Sequence, residues 1–168
     1  MADMAGCKYF AALDCRSGYW CVPMDPADAH KTGFTTPFGN FQFNRMPFGL
    51  MSAGATYQRL TDKITHDLSF CAGYIDDMYL WAKTWEEHIS NLRTLLLRLR
   101  QYGLKLNADK CQWVASHISC LGYIVGEHGR HPDPDKVRAV VALPTPQNVA
   151  DVRAFTGMCS HYRSELHR

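Results

Sequence analysis

The stretch Cys71–Lys83, CAGYIDDMYLWAK, sets two adjacent carboxylates, Asp76 and Asp77, between two apolar runs that both read as β-strands. Strand formers on either side of a two-residue break predict a tight hairpin, and the predicted break carries both acids. Turns of type I′ hold both central residues at positive φ and favour Asn-Gly or Asp-Gly. Asp-Asp is a poor choice on backbone grounds, so something other than turn chemistry selects it. Taken alone, the pair is also an ordinary solvated turn.

Upstream, residues 49–68 lack proline, and Leu50, Ala53, Tyr57, Leu60 and Ile64 recur at spacings of three and four. This predicts a helix running straight into the hairpin. Downstream, Trp85, Ile89, Leu92, Leu95, Leu96, Leu99 and Tyr102 trace one helical face. Thr84 with Glu87 has the form of a capping box, and Gly103 is placed to end the helix.

Towards the N-terminus, KYFAALDCRSGYWCVPM (Lys8–Met24) predicts a strand reaching Asp14, a turn or short helix at Ser17 and Gly18, and a further extended piece. HKTGFTTPFGNFQFNRM (His30–Met46) predicts a hairpin turning near Gly39 and Asn40. After the long helix, Lys110–Gly129 reads as two short strands around Ser116 and His117. The Pro-rich segments HPDPDKV and LPTPQNV then each introduce a short amphipathic helix. Asn148 caps the second, with Val149, Val152, Phe155 and Tyr162 on one side. A subdomain boundary is expected near Gly126–Pro132. Strands that come as hairpins predict an α+β fold, an antiparallel sheet with helices packed on one face.

The bulk composition narrows the class. The 168 residues, 46% hydrophobic and 20% charged, are those of a globular protein. No apolar run approaches the ~18 residues that span a bilayer, and the N-terminus lacks the pattern of a signal peptide, so an intracellular protein without membrane contact is expected. Seven cysteines, with no CxxC and no zinc spacing around Cys111, His117 and Cys120, predict buried or free thiols. Net charge is +2, but from Arg98 onward ten Lys and Arg face six Asp and Glu. A basic half suits a phosphate-backbone partner and equally an ordinary solvated surface.

Asp14, at the end of another apolar strand, could converge with Asp76 and Asp77. Carboxylates that close repel, and a divalent cation removes the penalty. Mg²⁺ prefers oxygen ligands and takes one or two carboxylates from protein, completing its shell with water and substrate phosphate. Two such ions about 3.5–4 Å apart clamp the attacking and leaving oxygens of phosphoryl transfer. This is polymerase or nuclease chemistry.

The surrounding segments carry a resemblance. FAALDCRSGYW, KTGFTTPFGNFQFNRMPFGL, ATYQRL, YIDD, KTWEEHISNLRTLLLRLRQYGLKLNADKC and LGYIV stand in the order found in gypsy-type long-terminal-repeat retrotransposon and retroviral reverse transcriptases. The resemblance covers nearly the whole chain. It implies a reverse-transcriptase palm over residues 1–125 with a fingers hairpin at about 30–44, and the start of a helical thumb over 126–168.

By position, Asp14 and Asp76 resemble the main metal ligands, with Asp77 as third acid; Mg²⁺, or Mn²⁺, is the implied cofactor. Tyr19 resembles the residue that walls off the sugar 2′-carbon and so selects deoxynucleotides. Phe48 and Gly49 resemble the floor under the incoming nucleotide, and Gln58 a helix residue near the template side. Tyr74 and Ile75 complete the Y-x-D-D signature beneath the primer end. Lys110 resembles the proposed proton donor to leaving pyrophosphate; a solvated lysine is the other reading. Leu121, Gly122 and Tyr123 resemble the primer grip.

The implied function is RNA-directed DNA polymerisation, with an RNA or DNA template, a primer and deoxynucleoside triphosphates as partners. The family carries a long fingers segment upstream and a ribonuclease H domain downstream. The expectation is therefore a palm-centred fragment of a pol polyprotein, with self-association or the rest of the polyprotein as protein partners. A non-catalytic nucleic-acid-binding or assembly module derived from a retroelement is the alternative. The chain departs from the family at Cys15, Cys21, Gly54 and Arg45, the last standing where an apolar residue normally precedes MPFGL.

Overall fold

Along Tyr9–Asp14 (β1), Phe10 and Ala12 alternate with Ala11 and Leu13, so the strand shows apolar side chains to both faces and belongs inside a sheet. In the computed structural model, which describes residues 4–162 apart from the side chain of His161, β1 lies between β5 (Asp77–Ala82) and β6 (Gln112–Ala115). With β4 (Cys71–Tyr74) outermost, the order is β4-β5-β1-β6 and every pairing is antiparallel.

One face of this sheet carries Ala11, Leu13, Met78 and Leu80. It is covered by α1 (Ala53–Thr65), through Tyr57 and Ile64, and by α2 (Trp85–Gln101), through Leu95 and Leu99. Side chains of this size stabilise by about 1.5–3 kcal/mol each when fully buried. Helices on one face of an antiparallel sheet is the architecture expected. The opposite face, with Phe10, Tyr79 and Trp81, packs on a second sheet of β7 (His117–Cys120), β8 (Tyr123–Gly126) and β9 (Gly129–Pro132).

The capping box of α2 is present: the Glu87 N–H donates to Thr84 Oγ1 at 3.2 Å, and the Thr84 N–H donates to Glu87 Oε2 at 3.3 Å. Gly103, at φ +71°, follows the helix as expected. Its buried face differs from the expectation at the first turns. Trp85 and Ile89 are exposed, and the fully buried residue is His88, whose Nε2 lies 2.9 Å from the Trp113 carbonyl. The bond satisfies one ring nitrogen on the face that continues through Leu92, Leu95 and Leu99, while Nδ1 is buried without a hydrogen-bond partner. At the other end, Arg98 grips Asp67 with two hydrogen bonds of 2.7 and 3.0 Å.

Three further expectations are corrected. The hairpin of β2 (Phe34–Thr36) and β3 (Gly39–Phe41) pairs Thr36 with Gly39, so it turns at Pro37 and Phe38, two residues earlier than Gly39 and Asn40. Proline, with fixed φ and no N–H to pair, suits the first central turn position. The two strands expected around Ser116 and His117 are β6 and β7, but they do not pair with each other: β6 joins β1, and β7 turns at Leu121 and Gly122 into β8. The segment Gly126–Pro132, expected as a boundary, holds β9 bonded to β8, so the chain leaves this sheet only after Pro132.

Beyond it, α3 (Pro134–Val141) starts at the Asp133 cap. Asn148 Oδ1 caps α4 (Val149–His161) by accepting from the Asp151 N–H at 2.9 Å. Val149, Val152 and Phe155 remain exposed on α4, whereas Tyr162 packs back on Tyr123. Cys15, Cys21, Cys71, Cys111, Cys120 and Cys159 are free thiols, and Cys7 is buried. Among the described residues no helix is long and apolar enough to cross a membrane.

Candidate active site

The β4–β5 hairpin pairs Tyr74 with Asp77. Its two-residue turn is therefore Ile75–Asp76, and Asp77 is the first residue of β5, which corrects the reading that both acids occupy the turn. Ile75 has φ +51° and Asp76 does not share the positive φ. A β-branched residue there is a genuine outlier, with a cost of about 1–3 kcal/mol that the surroundings must offset.

Helix α1 supplies the offset. Its Gln58 accepts from the Ile75 N–H through Oε1 at 2.8 Å and donates through Nε2 to the Gly73 carbonyl at 3.1 Å. Thr61, fully buried, shares its Oγ1 hydroxyl between the Tyr57 carbonyl at 3.2 Å and the Ile75 carbonyl at 3.3 Å. Both peptide groups of Ile75 are thus held. Gly73 is glycine because a Cβ would lie 2.0 Å from Thr61 Cγ2.

On β1, Asp14 stands directly opposite Asp77, two like charges across an antiparallel pair. The Asp77 carboxylate accepts from the Tyr79 hydroxyl at 3.2 Å. The Cys15 N–H donates to the Asp76 carbonyl at 2.8 Å, which ties the turn to the end of β1. Asp76 Oδ1 is buried with no hydrogen-bond partner, as is the Tyr57 hydroxyl. A Cβ on Gly18 would sit 2.2 Å from that hydroxyl and 2.6 Å from Asp76 Oδ1, so both groups border the space glycine leaves.

Burial, and then the charges of Asp14 and Asp77, push the Asp76 carboxyl above its ordinary value. Burial pushes the neighbouring Cys15 thiol up to about 12 and the Tyr57 phenol upward as well. None of the ion pairs among the described residues involves these acids. The site is a set of crowded carboxylates with an unpartnered buried oxygen and, among the described residues, no ion-paired cation. That donor set fits a hard divalent ion bound through one or two carboxylates. Asp14, Asp76 and Asp77 share one end of the sheet but do not gather round one point: among the described residues no three His, Cys, Asp or Glu side chains are grouped to hold a single ion.

Residues 1–125 match the family Reverse transcriptase (RNA-dependent DNA polymerase). The chain belongs to the reverse transcriptase family. It is 38% identical over 165 residues to the retrovirus-related Pol polyprotein from transposon opus of Drosophila melanogaster, and 32% identical over the same length to that from transposon gypsy. Each match takes in 97% of this chain and 16% of the relative, so the chain spans about a sixth of the length of these polyproteins. In fold it is similar to the foamy viral protease-reverse transcriptase solved with double-stranded DNA, at a TM-score of 0.87 and 19% identity over 95% of this chain and 28% of that one. The same viral protein solved with an RNA/DNA hybrid gives a TM-score of 0.82, covering 22% of its chain.

The other residues singled out from the sequence lie at several places around this end of the sheet and beyond it. Tyr19, on the Gly18–Cys21 3₁₀ turn, contacts Phe48 with ring centroids 5.2 Å apart and Tyr57 at 5.3 Å. Phe48 is exposed, and Gly49 has φ +90°. This aromatic set therefore borders the acids through Tyr57. Gln58, expected near the template side, has its amide engaged in holding the Ile75 turn. Tyr74 is half-exposed beside that turn.

Leu121 and Gly122, at φ +51° and +83°, form the β7–β8 turn; Tyr123 is buried beneath it, against Tyr162 and the Arg130 guanidinium. Lys110 is exposed just past the segment whose Asn107 N–H donates to the Asp14 carbonyl at 2.9 Å. Its side chain makes no hydrogen bond or ion pair among the described residues.

Sequence reasoning missed Thr61 and Gly18. Thr61 was findable, as a polar residue four after Tyr57 and three before Ile64 on the apolar face of α1. Nothing local marks Gly18, whose neighbours come from α1 and the hairpin turn.

Proposed function

We propose that this chain is the palm of a gypsy-type long-terminal-repeat retrotransposon reverse transcriptase, an RNA-directed DNA polymerase acting inside the cell. It extends a primer 3′-hydroxyl with deoxynucleotides on an RNA or DNA template. The observation that carries this reading is the strained Ile75 turn: α1 commits Gln58, Thr61 and its contact with Gly73 to presenting Asp76 and Asp77 beside Asp14.

Asp14 and Asp76 would hold Mg²⁺ or Mn²⁺, with Asp77 beside them. Held by these residues, such ions would supply the Lewis acidity that lowers the pKa of the attacking hydroxyl and neutralises the triphosphate. Tyr19, braced by Phe48 and Tyr57, occludes the ribose 2′-position; Phe48 and Gly49 support the incoming base; the Leu121–Gly122 turn and Tyr123 hold the primer end. Lys110 delivers a proton to the leaving pyrophosphate. The β2–β3 hairpin is the palm-side part of the fingers, and α3 with α4 begins the thumb.

The test is incorporation of deoxynucleotides on a primed RNA template with Mg²⁺ or Mn²⁺, beside Asp76→Asn. Extension that the substitution abolishes supports the reading. A folded chain that binds primer-template in a salt-sensitive way but never extends it overturns it in favour of a non-catalytic binding module.

A further inference from the structure

The end of β1 that carries Asp14 lies where its neighbour β6 is no longer a strand. Ala12 pairs with Gln112, the first residue of β6, so a ladder continued two residues further would set Asp14 opposite Lys110. Residues 107–111 instead form a turn that uses its own backbone: the Lys110 and Cys111 N–H groups both donate to the Asn107 carbonyl, at 3.0 and 3.2 Å.

Asp14 nevertheless faces that side. Successive residues of an antiparallel strand present their N–H and carbonyl groups to opposite edges. The Cys15 N–H donates to the Asp76 carbonyl at 2.8 Å across the β5 edge, so the N–H and carbonyl of Asp14 point to the edge that β6 has left. The carbonyl accepts from the Asn107 N–H at 2.9 Å. The N–H donates to a side chain, the sulfur of Cys111, at 3.4 Å. That sulfur also lies 4.0 Å from the Asp14 carbonyl, so the thiol rests against the Asp14 backbone.

The anchorage works against a repulsion. Asp14 stands opposite Asp77, and like charges directly across an antiparallel pair destabilise it. Bonds to the two peptide groups that flank the Asp14 Cα fix the direction of its Cα–Cβ bond, and with it the place of the carboxylate. Cys111 is itself held, half-buried against the core of Leu13, Cys15 and Leu104. A thiol, neutral below its ordinary pKa of about 8.5, accepts the N–H without adding a charge beside the acids.

We infer that Cys111 is a positioning residue for the metal site: by accepting the Asp14 N–H, its sulfur sets where the Asp14 carboxylate stands relative to Asp76. This rests on the reading of Asp14 and Asp76 as ligands of a divalent ion and names the group that aims one of them. The contact joins residues 97 apart in the chain, so local sequence around Cys111 does not mark it.

The test is a Mn²⁺ titration of the whole chain, with free Mn²⁺ followed by electron paramagnetic resonance and the fold of each variant checked by thermal melting. Cys111→Ala, and Cys111→Val, which fills the space of the thiol without an acceptor, are expected to weaken Mn²⁺ binding at least about tenfold, the lower end for loss of a partner that orients a metal ligand. Cys111→Ser, whose hydroxyl still accepts from the Asp14 N–H, restores most of the affinity. Ile118→Val trims a fully buried side chain in the other core. It lowers the melting temperature and leaves Mn²⁺ affinity unchanged, which separates positioning from stability.

Folded Cys111→Ala or Cys111→Val that binds Mn²⁺ as tightly as the parent overturns the inference. So does Cys111→Ser as weak as the acceptor-free variants, and so does a matching loss in Ile118→Val. The readings fail separately. A parent whose Mn²⁺ binding survives Asp14→Asn contradicts the metal site and the inference with it, whereas binding that Asp14→Asn removes and Cys111→Ala leaves intact contradicts the inference alone. A parent that shows every expected effect on Mn²⁺ but never extends a primer contradicts only the polymerase assignment.

Discussion

At the scale of single residues, the site is organised against its own stability. Asp76 has a buried, unpartnered oxygen, and burial, Asp14 and Asp77 all raise its pKa. A carboxyl whose folded-state pKa lies above its unfolded value of 3.8 costs stability wherever it is ionised, and the cost disappears as pH falls through the folded-state value. Asp76→Asn is therefore expected to melt higher than the parent at pH 7 in the absence of metal while losing activity; the two melting curves converge as pH drops towards 3.8. Thermal melts across pH check this trade of stability for function. Gly18 has the opposite role. A methyl there meets Tyr57 at 2.2 Å and Asp76 at 2.6 Å, so Gly18→Ala is expected to cost about 1–3 kcal/mol, the usual range for overpacking, measured by urea unfolding.

At the scale of elements, α1 and the β4–β5 hairpin act as one unit. Gln58 makes two of the bonds that hold the turn, and Gln58→Leu leaves the Ile75 N–H and the Gly73 carbonyl without them. The expected loss is about 1–3 kcal/mol of stability, together with a larger fall in kcat than in affinity for primer-template, read from urea midpoints and steady-state kinetics. The strands β1, β4 and β5, both α2 caps and the Asn148 cap were legible in the sequence, because each is written in local spacing and capping chemistry. The turn was not. Asp-Asp looked like the break, but a one-residue offset puts Ile75 at positive φ, since the bonds that make this acceptable come from a helix ten or more residues away. The buried His88 and the second sheet were missed for a related reason: Trp113 accepts the His88 bond and β6 pairs with β1 across long separations that no local pattern records.

At the scale of the whole molecule, one antiparallel sheet has helices on one face and a second sheet on the other, with the three acids at one end. The order of motifs along the chain made this architecture and the acids legible, whereas the packing of the second sheet on the first was not, since Phe10, Tyr79 and Ile118 come from three separate segments. Phe38, Met51, Val141 and Val149 are each more than two-thirds exposed. So much uncovered apolar surface predicts self-association: sedimentation velocity should show the average mass rising with concentration, and a monomer at every concentration contradicts this. The central claim is that Asp14 and Asp76 form a site for a divalent ion. It is tested most directly by titrating the purified chain with Mn²⁺ and following free Mn²⁺ by electron paramagnetic resonance. Saturable binding that Asp14→Asn/Asp76→Asn removes, with the variant still folded, is the predicted result. Equal binding by parent and variant would contradict the account.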